Sequence, residues 1–302
     1  MGHSLVAPTG GVAGSIGITG FDMTAGDDGL KTLNQTVSEV GVFTFTATPP
    51  LYFGETIAPA TSANVGRFIP DRFTLGHDTP TVGTPNPAYD ANGDGDDDDA
   101  AAGDQEDIFT YLDQPFYYDT DDALATGLSP RLLVTAVNTN GVTTQNYGGD
   151  GAGGDDFWML ATDLGNRSYS DQTGSAATLA ATLDGSNPDI LAGAADYDGQ
   201  GTLTLDHGTD GDELVYQRQS EEVPFDADID LTFAAADLTD GDGVCYDVDD
   251  DGTCDDYVIP GIAGMELRFG RLAVYDAYGS ELQDLDLRVA AENYDNVAGG
   301  GQ

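Results

Sequence analysis

The 302-residue chain carries 54 aspartates and glutamates against nine lysines and arginines, a formal net charge of −45. Such a surface repels phosphate polymers and anionic lipid faces, which excludes nucleic acid as a partner class, and no run of 18 apolar residues is present to span a bilayer. At 39% apolar residues, with 14 tyrosines and 12 phenylalanines, the chain is nevertheless too rich for a disordered polyanion and long enough to bury a sizeable core.

Self-repulsion of this size destabilises a compact state unless salt or bound divalent cations neutralise it. Lys31 is the single lysine, and short, strongly hydrated aspartates dominate the acids, a composition suited to saline surroundings. In chain order, the opening MGHSLVAPTGGVAGS has neither a basic segment nor a continuous apolar stretch, so no signal peptide is read there. VGVFTFTAT (40–48) alternates β-branched and aromatic residues and predicts a strand. TPTVGTPNPAYDANGDGDDDDAAAGDQED (79–107) is Pro-rich, then almost wholly Asp, Gly and Ala. It cannot bury enough apolar surface to fold alone and reads as an acidic linker.

RLLVTAVN (131–138) predicts a strand, and GGDGAGGDD (148–156) a long loop. SAATLAATL (175–183) is the one Ala/Leu-rich, helix-like run. GTLTLD (201–206) and DIDLTFAA (228–235) place Leu203 and Leu205, then Ile229, Leu231 and Phe233, on one face. LRFGRLAVYD (267–276) and DLDLRVAAE (284–292) read likewise, with Gly270 suggesting a bulge. The 41 glycines and repeated NG, DG and GG pairs supply turns. The expected fold is all-β: tandem Ig-like antiparallel β-sandwich units with acidic linkers. The expected divisions are a β unit at 1–78, a linker at 79–106 and a β-rich region at 107–302, dividing into two sandwiches near 185.

VGRFIPDRFTL (65–75), FTYLDQPFYYD (109–119), VTAVNTNGVTTQNYGG (134–149), DGVCYD (242–247) and LRFGRLAVYDAYGSEL (267–282), in this order, carry a family resemblance. Together they resemble the C-terminal β-rich region of MshQ-type proteins, a family associated with the mannose-sensitive haemagglutinin type IV pilus. The resemblance covers most of the chain from about residue 35 onward. It implies an extracellular, pilus-linked surface protein and no particular reaction.

Cys245 and Cys254 stand nine residues apart in a Gly/Asp-rich segment. A turn of that length permits a disulfide, which an exported chain favours. A free thiol pair and a zinc site are the alternatives, and zinc would lack partners because His3, His77 and His207 are scattered. Asp247, Asp249 and Asp251 followed by Gly252 match the first half of a calcium loop, D-x-D-x-D-G. Position 12 of such a loop is Val258 rather than Glu, so Asp255 or Asp256 has to substitute. Asp90, Asn92 and Asp94 before Gly95 form a weaker half-match.

No G-x-S-x-G elbow, H-E-x-x-H or P-loop occurs, and acids are too abundant for paired carboxylates to be informative. Phe157 and Trp158 suit sugar stacking or core packing; Tyr117 and Tyr118 suit packing. Arg67, Arg72, Arg268 and Arg271 are expected to pair with carboxylates. The functional expectation is a non-enzymatic, calcium-stabilised adhesive or structural module on the cell surface, meeting pilus or other surface components or glycans. The alternatives are a calcium-dependent carbohydrate-binding module and a secreted glycan-active enzyme domain.

Overall fold

The computed structural model describes residues 1–51, 53–83, 109–118, 130–148, 158–160, 164–185, 188–192 (backbone only), 197–205, 211–279 and 284–294. Asp90, Asn92 and Asp94, most of the acidic linker, residues 149–157 and His207 lie outside them. Within this range most of the alternation read from the sequence is realised as strands; of DLDLRVAAE only the end is, in Val289–Asn293, while residues 284–288 form no strand and leave Leu285 and Leu287 exposed. Leu132, Val134 and Ala136 of the strand Arg131–Val137 point into the core, as do Leu203 and Leu205 of Gln200–Leu205. Ile229, Leu231 and Phe233 of Ile229–Phe233 do the same. Each of the Leu, Val, Ile and Phe side chains among them contributes about 1.5–3 kcal/mol by leaving water.

Four sheets surround this core. Arg131–Val137 lies between Arg72–Asp78 and Gln200–Leu205, and Pro188–Ala192 completes that antiparallel sheet. A second runs Thr178–Thr182, Glu213–Gln217, Pro115–Tyr118, Val82–Gly83, and a third Ser168–Asp171, Ile229–Phe233, Tyr257–Ile262. In the fourth, Glu266–Arg268 pairs with Phe225–Asp226 and, in parallel, with Phe109–Tyr111. Residues from all four sheets join one apolar cluster, where Phe116 stacks on Tyr216 and Phe73 packs on Tyr147. A further antiparallel sheet gathers Gly2–Ala7, Gly41–Ala47, Ala60–Thr61 and Val65–Phe68. The only helical turn among the described residues is Ala25–Asp27.

Pairing crosses both divisions expected from composition. Arg72–Asp78, assigned to the first unit, pairs along its whole length with Arg131–Val137, and Val82 of the expected linker is buried. Thr178–Thr182 pairs with Glu213–Gln217 across residue 185. Composition reports where chain is soluble, not which strands meet. The run SAATLAATL contains an edge strand rather than a helix: it is too short to hold a helix alone, while Glu213–Gln217 offers five backbone partners. Gly270 marks no bulge within one strand. Glu266–Arg268 and Gly270–Val274 belong to different sheets, and at Gly270 the chain passes so close to Tyr111 that a Cβ would sit 2.4 Å from its ring.

The phrase VTAVNTNGVTTQNYGG holds the N-terminal segment to the core. Asn138 closes its turn by accepting the N–H groups of Asn140 and Val142. Asn146, fully buried, accepts the N–H of Val12 and donates to the carbonyls of Val12 and Val40, all at 2.8 Å. Asn146→Ala is expected to cost about 2–3 kcal/mol, because buried backbone groups lose their partners. Urea unfolding checks this; a loss below about 0.5 kcal/mol would mean that water replaces the amide.

The scarce cations are all engaged. Arg67 pairs with Asp242, Arg72 with Asp71 and Asp250, Arg131 with Asp78, Arg218 with Asp113, Arg268 with Glu266 and Arg271 with Glu292. Lys31 lies 3.7 Å from Asp27, Arg167 binds Asp212, and Arg288 stacks on Tyr275.

Candidate metal centre

Residues 240–256 are built by acids that accept backbone N–H groups. Asp240 accepts those of Asp242 and Val244, and its second oxygen takes the hydroxyl of Tyr147 at 2.8 Å. The next residues attach to the core: the carbonyl of Cys245 accepts the N–H of Phe73 at 2.7 Å, at the start of Arg72–Asp78. Cys245 and Cys254 form a disulfide with their Cα atoms 5.6 Å apart. On the chain-entropy model, closing so short a loop stabilises by roughly 2–3 kcal/mol. Beside it, Asp255 donates its N–H to the carbonyl of Tyr246, so the loop leaves and rejoins the body at one point.

Inside the loop, Asp247 is buried and accepts the N–H groups of Asp251 at 3.2 Å and Gly252 at 2.9 Å. Gly252, at φ +82°, supplies the left-handed turn that lets the chain wrap around this carboxylate. Asp255 accepts the N–H of Val248. One carboxylate oxygen each from Asp247, Asp249 and Asp255 lie within 4.8 Å of one another. Desolvation works against the Asp247 anion, but the N–H groups of Gly252, Asp251 and Asp250 and the charge of Arg72 outweigh it. They hold the carboxyl below its ordinary range.

Of the acids singled out by the D-x-D-x-D-G match, the fold therefore gathers Asp247, Asp249 and Asp255. Asp251 is not in the cluster; it accepts the N–H of Thr253 at 2.8 Å. Asp256 caps the N–H of Ala235, and Val258 is taken up in Tyr257–Ile262 opposite Thr232. Positions one, three and nine of the loop converge, while five and twelve do not. The three carboxylates form a hard, oxygen-only donor set, which could coordinate a divalent cation. Arg72, 3.1 Å from Asp250, and Arg67, on Asp242, bracket the loop.

A second polar cluster had no sequence signal. Arg167 grips Asp212 with two nitrogens, at 2.8 and 2.5 Å, and the two side chains are 3% and 0% exposed. Arg167 also donates to the carbonyls of Leu164 and Asp184, and Asp212 accepts the Tyr169 hydroxyl and the Asp184 N–H. Tyr118 adds a 2.5 Å bond to Tyr169. The partners lie 45 residues apart, in a chain where aspartate is everywhere. Trp158 is half-buried and packs on Tyr147, while Tyr117 donates to Glu213 at 3.0 Å.

Fold and loop together define an almost entirely β-structured, disulfide-bonded domain with a candidate acidic cation site. The chain belongs to the DUF6701 family: residues 39–261 match the model of that family's third domain. No curated protein and no solved structure matches it.

Proposed function

We propose that the chain is a non-enzymatic, extracellular structural or adhesive module of a pilus-associated surface protein, its sheets packed as β-sandwich units and calcium held in the 247–255 loop. The observation that carries this reading is the convergence of Asp247, Asp249 and Asp255 in a loop tied to the core by a disulfide. A disulfide suits an oxidising compartment outside the cytosol. The resemblance of five ordered phrases to MshQ-type proteins supports the pilus association. External salt supports the charge: at −45, screening and bound cations relieve repulsion that would otherwise oppose compactness. Bound calcium would hold the three carboxylates together and stiffen the surface presented to pilus or other cell-surface components.

Calorimetry with added calcium and with chelator tests the site. At free calcium about a hundredfold above Kd, the folded state is expected to gain about 2.7 kcal/mol, seen as a higher Tm. Asp247→Asn and Asp255→Asn should abolish the gain, whereas Asp251→Asn, whose carboxylate accepts the N–H of Thr253, should keep most of it. An unchanged Tm, or an equal response in the Asp247→Asn variant, would remove calcium from the proposal.

A further inference from the structure

The acidic loop between the two cysteines has little besides its disulfide to keep it closed. Cys245 belongs to the body: it is buried, and its carbonyl holds the N–H of Phe73. From Asp247 to Asp256 the chain joins no strand, and Val248, the one aliphatic residue of that stretch, is 67% exposed. No aliphatic or aromatic side chain therefore pins the loop to the core. Six of these ten residues are aspartates, and the cation that reaches them is Arg72, which Asp250 shares with Asp71. An ion pair on so exposed a carboxylate holds weakly and is screened by salt. Asp250 also keeps a left-handed backbone at φ +60°, which a residue with a Cβ adopts uncommonly and only where its surroundings impose it. The remaining ties, the Asp255 N–H on Tyr246 and Asp256 on the N–H of Ala235, stand at the loop's end beside Cys254.

We propose that the Cys245–Cys254 disulfide is a redox latch on this loop: oxidation closes it and gathers Asp247, Asp249 and Asp255, and reduction lets the aspartates repel one another apart. The latch rests on the calcium and extracellular readings given above. Cys254 is half-buried and Cys245 buried, so a dithiol reductant reaches Cys254 first. Its thiolate bonds to Cys254 Sγ, the S–S bond breaks, and Cys245 leaves as a thiolate. The reductant's second thiol then displaces Cys254 and closes the reductant's own disulfide, so that two electrons and two protons pass to the protein. With no third cysteine in the chain, the product is the open dithiol and no other pairing competes. Newly made chain in a reducing cytosol would carry the loop open, and the cation site would form on arrival in an oxidising compartment. The linkage is reciprocal: the factor by which oxidation raises calcium affinity is the factor by which calcium favours the disulfide.

Hydrogen–deuterium exchange in concentrated sodium chloride tests the latch on three proteins: the oxidised chain, the chain held reduced with dithiothreitol, and the variant combining Cys245→Ser with Cys254→Ser. The amides of Val248, Asp251 and Gly252, which Asp255 and Asp247 hold, are expected to exchange about tenfold faster without the disulfide, and those of 131–137 to stay unchanged. Equal exchange in the loop overturns the proposal. Loss of protection in 131–137 overturns it too, by making the bond a brace of the whole body. Calcium titrated into the same proteins is expected to bind about tenfold more weakly to the two that lack the bond, and equal affinity overturns the latch as a control of the site. Absence of binding even to the oxidised chain would remove calcium from the proposed function, with exchange in the loop still deciding the latch.

Discussion

Replacing Arg167 with methionine is expected to destabilise the fold by about 3–5 kcal/mol, because it strands the Asp212 charge in the interior. Arg167 and Asp212 are both buried, and the pair also satisfies Tyr169, the N–H of Asp184 and the carbonyls of Leu164 and Asp184. A simple buried ion pair can often be exchanged for apolar residues without loss. Here the surrounding groups would lose their partners as well, so Arg167→Met with Asp212→Leu should cost no less than the single change. Urea midpoints at constant m-value measure both variants. High salt should leave the loss intact, since a pair this buried is poorly screened. A double variant as stable as the parent would show that the network is dispensable.

Alkaline pH is expected to unfold the protein steeply from about pH 10, where tyrosines of an unfolded chain ionise. In the folded state Tyr118, Tyr169, Tyr147 and Tyr216 all keep their protons to higher pH. Burial is the main cause in each, and anionic neighbours add to it: Asp212 for the first two, Asp240 for Tyr147 and Asp171 for Tyr216. Below the unfolded value both states hold these protons, and the tyrosines leave stability independent of pH. Above it the unfolded chain binds fewer, so stability falls by about 1.4 kcal/mol per pH unit for each tyrosine, roughly 5 for all four. A domain stable by 5–15 kcal/mol would exhaust its margin within about one to three units. Tyrosinate absorbance followed beside circular dichroism should show ionisation and loss of strands in one transition. Tyr216→Phe should flatten the slope by about a quarter. Strands that persist while all four tyrosines ionise would disprove their role.

The loop at 240–257 was legible because its signals are local. The spacing of Asp247, Asp249 and Gly252 describes how one short stretch of backbone curls, and Cys245 and Cys254 are near enough in sequence to meet whatever the rest of the chain does. Pattern alone could not choose among the acids: Asp251 fits the motif but turns to the N–H of Thr253, while Asp255 takes the place next to Asp247. Asp255 is held there by its backbone N–H on the carbonyl of Tyr246 and by its carboxylate on the N–H of Val248.

The same division holds for the whole molecule. Charge, β class and the inward faces of strands such as Ile229–Phe233 follow from the sequence, because a two-residue period is a property of neighbours along the backbone. Three features were decided only in the tertiary structure: Arg72–Asp78 pairing across the expected boundary, Arg167 finding Asp212 among so many acids, and the outward apolar face at Leu272 and Val289. Each depends on contacts between distant segments. With 54 carboxylates and many similar short strands, the sequence offers numerous near-equivalent partners, and only simultaneous packing of one shared core selects among them.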